Sequence, residues 1–153
     1  MKINSTEIKG KYLALLKQTE RDGIEQLIEW LIHTDFFIAP ASTKFHGACE
    51  GGLLVHSMYV YTAYKKIQPQ FCPESSASAE IMCLLHDVCK ANVYAVDYKN
   101  AKNANGVWEK IPYYKYDDHE PYGHGEKSVD ILRDFIELSK AEKYSVCTAL
   151  LRE

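Results

Sequence analysis

His56, His86, Asp87 and His124 are the residues of this chain best suited to chemistry. Imidazole nitrogens and a carboxylate are the ligands expected for a first-row divalent transition metal in a hydrolytic site. His86 and Asp87 are adjacent and point about 100° apart on a helix, yet a cation held between helices is within reach of both. The two oxygens of Asp87 also suit it to bridging two ions. Separate structural histidines and a solvated aspartate are the plainer alternative, and spacing alone leaves both open. His46 and Glu50 join the candidates from a long irregular connection, His46 as an acid or substrate contact and Glu50 as a substrate contact.

The apolar pattern puts these residues on helices and at their ends. Ile8, Tyr12, Leu15 and Leu16 recur at helical spacing after Ser5. Ile24, Leu27, Ile28, Leu31 and Ile32 form one stripe behind a start signal at Asp22 and Glu25. His33 lies just beyond it, where a cation suits a helix C-terminus. From Phe36 to Gly52 periodicity stops, and Pro40, Ser42, Gly47, Gly51 and Gly52 mark a loop long enough to be functional. Leu53 to Lys66 returns to helix, with His56 near its beginning and Leu53, Val60, Ala63, Tyr64 and Ile67 as its buried face. Pro69, Pro73 and the serines up to Ser78 punctuate the chain, serine being a good N-cap. Ala79 to Lys90 then reads as one strongly apolar helix, nearly encircled by Ile81, Met82, Leu84, Leu85 and Val88 and central to the fold. At its end stands Asp87, and a buried carboxylate there requires a cation or several donors.

After Asn92 the period changes. Val93 to Tyr98 and Val107 to Tyr116 are rich in Tyr, Val and Ile, and Asn105-Gly106 between them predicts a β-hairpin with a type I′ turn. Polar residues from Asn100 to Asn103, and Pro112, predict frayed strands. Tyr94, Tyr98, Tyr113, Tyr114 and Tyr116 suit stacking on a base or sugar and equally suit plain strand packing. A charged turn from Asp117 to Pro121 leads through Gly123 into a helix running to Leu138, with Val129, Leu132, Phe135 and Ile136 inward. Ser139-Lys140-Ala141-Glu142 is a capping box for a last helix carrying Tyr144, Val146, Cys147, Leu150 and Leu151, and the sequence is expected to end inside that element.

A chain of 153 residues, 46% hydrophobic, is expected to form one domain with its own core. A formal net charge of -3 argues against a broad basic surface for duplex nucleic acid, although a local basic strip does not show in a sum. The five cysteines are odd in number and contain no C-x-x-C pair, which suits reduced thiols in a cytoplasmic protein. No basic-then-apolar leader and no apolar run near the ~20 residues of a membrane span are present, so neither secretion nor membrane insertion is expected.

Three blocks stand in order along the chain. The first joins Phe45-His46-Gly47 to Gly51-Gly52-Leu53-Leu54-Val55-His56-Ser57, the second is Leu84-Leu85-His86-Asp87-Val88-Cys89-Lys90, and the third is Tyr122-Gly123-His124-Gly125-Glu126-Lys127-Ser128. Over nearly the whole chain this order resembles the HD-domain superfamily of metal-dependent phosphohydrolases, in particular the small stand-alone HD proteins of bacteria and phages. The resemblance implies an all-α helical bundle with a small β-hairpin insertion. It implies His56, His86 and Asp87 as metal ligands and His124 as the additional histidine of two-metal members. Lys90 matches a lysine that often follows the His-Asp pair, where its charge would meet a phosphate oxygen. The implied cofactor is one or two divalent ions of Mn, Fe, Co, Ni or Zn, with Mg also admitted. Catalytic roles are expected for Asp87, Lys90 and His46, and substrate contacts for Lys127 and Glu50. A later histidine and a final aspartate of the pattern would fall beyond the last helix, Asp130 and Asp134 being too early, so residues 1–153 are expected to form a single HD domain lacking its C-terminal part. The expected function is hydrolysis of a nucleotide or related small phosphoester. The alternatives are a nuclease or phosphodiesterase, and an inactive HD fold that binds a nucleotide or a protein partner.

Overall fold

The computed structural model describes residues 5–71, 78–120 and 123–148. Expectations that fell on Cys72, Pro73, the serines at 75 and 76, Pro121, Tyr122, Leu150 and Leu151 therefore lie outside the described residues. The helices are α1 (Ser5–Lys17), α2 (Ile24–His33), α3 (Gly52–Phe71), α4 (Ala79–Leu85), α5 (His124–Arg133) and α6 (Lys140–Thr148). A single 3-10 turn occupies Val88–Lys90, and β1 (Tyr94–Lys102) pairs antiparallel with β2 (Trp108–Tyr116).

The all-α class expected from the resemblance is corrected to a mixed α/β architecture, with 53% of the described chain helical and 13% in strands. Two nine-residue strands hold one unbroken register from Tyr94↔Tyr116 to Lys102↔Trp108, so the sheet is a full element and not a frayed excursion. Pro112 does not interrupt it, because each strand of a two-stranded sheet is an edge strand, the setting that tolerates proline. The turn also differs from the expected type I′, which needs positive φ at both central residues. Only Gly106 is left-handed, at φ 77, and the Asn103 side chain accepts from the amides of Asn105 and Val107. The Gly106 amide bonds the Asn103 carbonyl, which makes a type I turn closed by a glycine bulge.

The core is helical. Leu16, Leu27, Leu31, Leu53, Ile81, Leu84, Leu132 and Val146 belong to one buried cluster drawn from all six helices. The α2 stripe is buried as expected except for Ile32, which is exposed, and its N-cap is the left-handed Gly23 with no side-chain cap. On α3 the buried residues are Gly52, Leu53, Leu54 and Ser57, at the end that carries His56. Ile67, expected inside, is exposed, and the helix continues through Pro69 to Phe71. Tyr12 of α1 is wholly buried, and its hydroxyl donates to the Leu84 carbonyl at 2.8 Å. That bond pins α1 against the last turn of α4, immediately before His86.

Two polar devices fix the remaining ends. Ser78 caps α4 by accepting from the Ile81 amide. The capping box at α6 forms as expected: the Ser139 amide donates to Glu142 at 2.8 Å and the Glu142 amide to the Ser139 hydroxyl at 3.2 Å. Glu142 is 1% exposed and also accepts from Arg21 at 2.7 and 3.1 Å and from the Ser78 amide at 3.2 Å. One carboxylate thus joins α6, the start of α4 and the α1–α2 connection. α5 ends at Arg133, short of the expected Leu138, and Ile136 beyond it is still buried.

Candidate metal centre

The apolar run expected to be one helix to Lys90 ends at Leu85, and this break builds the site. Every residue from Ile81 to Lys90 is buried, so the polar groups in that stretch have to find partners within the protein. His86 remains in right-handed helical geometry, whereas Asp87 moves to φ -104, ψ 20. The divergence of about 100° that a continuous helix imposes on neighbours is thereby removed. Both side chains turn toward the first turn and a half of α3, where His56 stands.

His56 Nε2 and His86 Nε2 are 3.2 Å apart, and each is 3.4 Å from Asp87 Oδ2. Two imidazole nitrogens approach this closely only by sharing a proton or by facing a common cation. Ligands bound to one ion at about 2.1 Å lie roughly 3.0–3.5 Å from one another, so the observed triangle has the dimensions of one face of a coordination shell. His86 Nδ1 lies 2.9 Å from the Cys83 carbonyl. A carbonyl only accepts, so Nδ1 carries a proton and Nε2 is the nitrogen turned to the cluster, where it donates to Asp87 when protonated and would offer its lone pair to an ion when not, the usual outer-shell device for orienting a ligand histidine. Asp87 Oδ1 is buried and has no hydrogen-bond partner among the described residues. An orphaned carboxylate oxygen at 0% exposure is costly unless a cation is there to meet it. His56, His86 and Asp87 are therefore a cluster that could hold a metal ion.

The charges agree. Burial opposes ionisation of Asp87, but the hydrogen bond and charge of His86 and the ammonium of Lys90 outweigh it and hold the carboxyl far below its usual range. For His86, burial disfavours the imidazolium, and the hydrogen bond and charge of Asp87 outweigh it, so its pKa is raised. Lys90 Nζ is 2.9 Å from Asp87 Oδ2 and the residue is 7% exposed, so a cation already sits beside the carboxylate on the protein side.

His124, the fourth expected ligand, does not join the triangle. Its ring packs on Tyr116 with centroids 5.6 Å apart, and its Nδ1 lies 3.7 Å from Cys89 Sγ. Lys127, expected to contact substrate, is buried and engaged by Asp118 at 2.8 Å and Glu120 at 3.1 Å. His46 and Glu50 are exposed on the loop, and the His46 ring lies 5.3 Å from that of His56. With His56, Tyr59, Phe37 and Ile38 they line a cavity of about 900 Å³ that opens beside the triangle. Such a volume is typical of small-molecule sites. The loop is locked where it passes the site: the Ala41 amide bonds the Gly47 carbonyl at 2.8 Å, and a Cβ on Gly52 would collide with that same carbonyl.

Sequence reasoning missed three contributors. The Cys83 carbonyl orients His86, Tyr12 fixes the end of α4, and Tyr116 shelters His124. Backbone groups leave no sequence signal, but a tyrosine on an otherwise aliphatic stripe marks a hydroxyl in need of a partner. Comparison with protein-family models, with curated proteins and with solved structures gave no match. No helix among the described residues is long and apolar enough to cross a membrane.

Proposed function

We propose that this chain is a metal-dependent phosphohydrolase acting on a nucleotide or related small phosphoester. The observation that carries the reading is the buried triangle of His56, His86 and Asp87, one member of which, His56, also lines a cavity of about 900 Å³. The three-block resemblance to the HD-domain superfamily supports it, and we read the chain as a divergent member. Two imidazoles and a carboxylate suit Mn, Fe, Co, Ni or Zn better than Mg, which prefers oxygen and water ligands. A divalent ion held there would supply Lewis acidity and a water ionised near neutral pH.

The residues of the chain do the rest. Cys83 holds His86 in the tautomer that ligates, and the surrounding helices keep bulk water from the triangle. Lys90 holds a fixed positive charge 2.9 Å from Asp87 Oδ2, placed to offset charge on a phosphoryl group at the triangle. His46, exposed at the cavity mouth beside His56, is placed to donate a proton to the departing oxygen. Phosphate release from 5′-nucleotides should therefore appear on reconstitution with Mn²⁺, vanish in chelator and return on readdition. Persistent turnover in chelator would contradict the reading, as would an absence of turnover with every one of the five metals.

A further inference from the structure

The two faces of the β-hairpin differ chemically. Residues directly paired across antiparallel strands share a face, so Val96, Tyr98, Lys102, Trp108, Lys110 and Pro112 project to one side. Tyr98 is 62% exposed and Trp108 65%. Among the paired residues this face carries no carboxylate, although the chain as a whole has a net charge of -3. The Lys102 ammonium lies 5.3 Å from the centroid of the Trp108 ring, and neither Lys102 nor Lys110 has a carboxylate partner among the described residues. The opposite face differs in kind: Asp97, Lys99, Glu109 and Lys115 mix both signs, and Tyr113 bonds Asp97 with Lys99 over its ring.

Composition and width select the occupant. Two strands of nine residues, at about 3.3 Å per residue and about 4.8 Å apart, present a face on the order of 300 Å². Lysine is depleted at protein interfaces, and here Lys102 and Lys110 flank the aromatics on a narrow strip, a poor composition for a second copy of the chain or a folded protein. Exposed aromatics interleaved with unpaired lysines are instead the composition that stacks unpaired bases and meets their phosphates. A duplex offers no free base faces to such a strip.

We propose that this face binds single-stranded nucleic acid, with bases stacked on Tyr98 and Trp108 and phosphates facing Lys102 and Lys110. The proposal is independent of the hydrolase reading, and its test is run in chelator so that the two fail separately. A Trp30→Phe variant leaves Trp108 as the sole tryptophan. Its emission is followed during titration with a 12-mer of deoxythymidine, a 12-mer of uridine and a 12-base-pair duplex, and the wild-type chain is followed in parallel by anisotropy of the labelled oligomers. Either single strand, or both, should quench Trp108 to saturation at about 50 mM salt, with the duplex weaker. Two phosphate contacts give a log–log salt slope of about -1.4, which Lys102→Gln with Lys110→Gln should flatten toward zero. Tyr98→Ala should weaken binding about tenfold. Absence of quenching and of anisotropy change with both single strands overturns the proposal. So does sedimentation showing a dimer that Tyr98→Glu dissolves, because the face is then an interface between copies.

Discussion

At the scale of single residues, the site is decided by which groups are buried with nothing to satisfy them. Asp87 is wholly buried, has one oxygen without a hydrogen-bond partner among the described residues, and shares the other with His56, His86 and Lys90. Lys90 is the residue whose role divides most cleanly, because it touches the ligand set without belonging to it. The Lys90→Met variant keeps the apolar stem and removes the charge. It should retain its metal while kcat/KM for a 5′-nucleotide falls about 10²-fold, the usual cost of deleting one fixed electrostatic group. Metal analysis alongside steady-state kinetics reads both, and an unchanged kcat/KM would remove Lys90 from the chemistry. The sequence made His56, His86 and Asp87 legible because ligand chemistry restricts residue type. It could not separate them from His124, since only the path of the chain sets distance, and that path puts His124 against Tyr116 and Cys89.

At the scale of elements, α4 is held at both ends by groups distant in sequence. Tyr12 fixes its last turn, and Glu142 fixes its first through the Ser78 amide while pairing with Arg21. Burial raises the Glu142 pKa, but the Arg21 hydrogen bonds and the Ser139 and Ser78 amides outweigh it, lowering the value from 4.5 to about 2. Folding thus favours the charged form. That contribution is complete above about pH 4.5 and is lost as pH falls toward 2. Glu142→Gln should cost about 2 kcal/mol at pH 7, below the ~3–5 of a fully buried pair because Arg21 reaches solvent. Urea unfolding from pH 7 down to pH 2 should show the two proteins converging, and a gap that stays constant would contradict this role. The capping box was readable because it is local, Ser139 to Glu142, whereas the partner Arg21 lies 121 residues away and had no signature. The reverse failure occurred at Leu85, where an unbroken apolar pattern concealed the end of the helix and the change of backbone at Asp87. In the hairpin, residue type gave the strands, but the expected fraying and type I′ turn both yielded to a continuous ladder and an Asn103-capped turn.

For the whole molecule, a helical core carries the triangle and a two-stranded sheet follows it in the chain, and the mixed class follows from that sheet's full length. The helices were legible from apolar period, while the class was not, because the resemblance assigned the hairpin a minor part. A metal that binds only the folded chain should raise the unfolding temperature. At one hundred times Kd the gain is about 2.7 kcal/mol, or roughly 5–10 °C for a chain of this size. The central claim is that His56, His86 and Asp87 together hold a divalent transition metal. Its most direct test is elemental analysis of reconstituted, gel-filtered protein with thermal unfolding of the same samples, comparing the wild-type chain with Asp87→Asn. The account predicts about one ion per chain and the higher unfolding temperature for the wild type, and neither for a folded Asp87→Asn variant. A wild-type chain that emerges metal-free, or a variant that retains the ion as well as the wild type does, would contradict it.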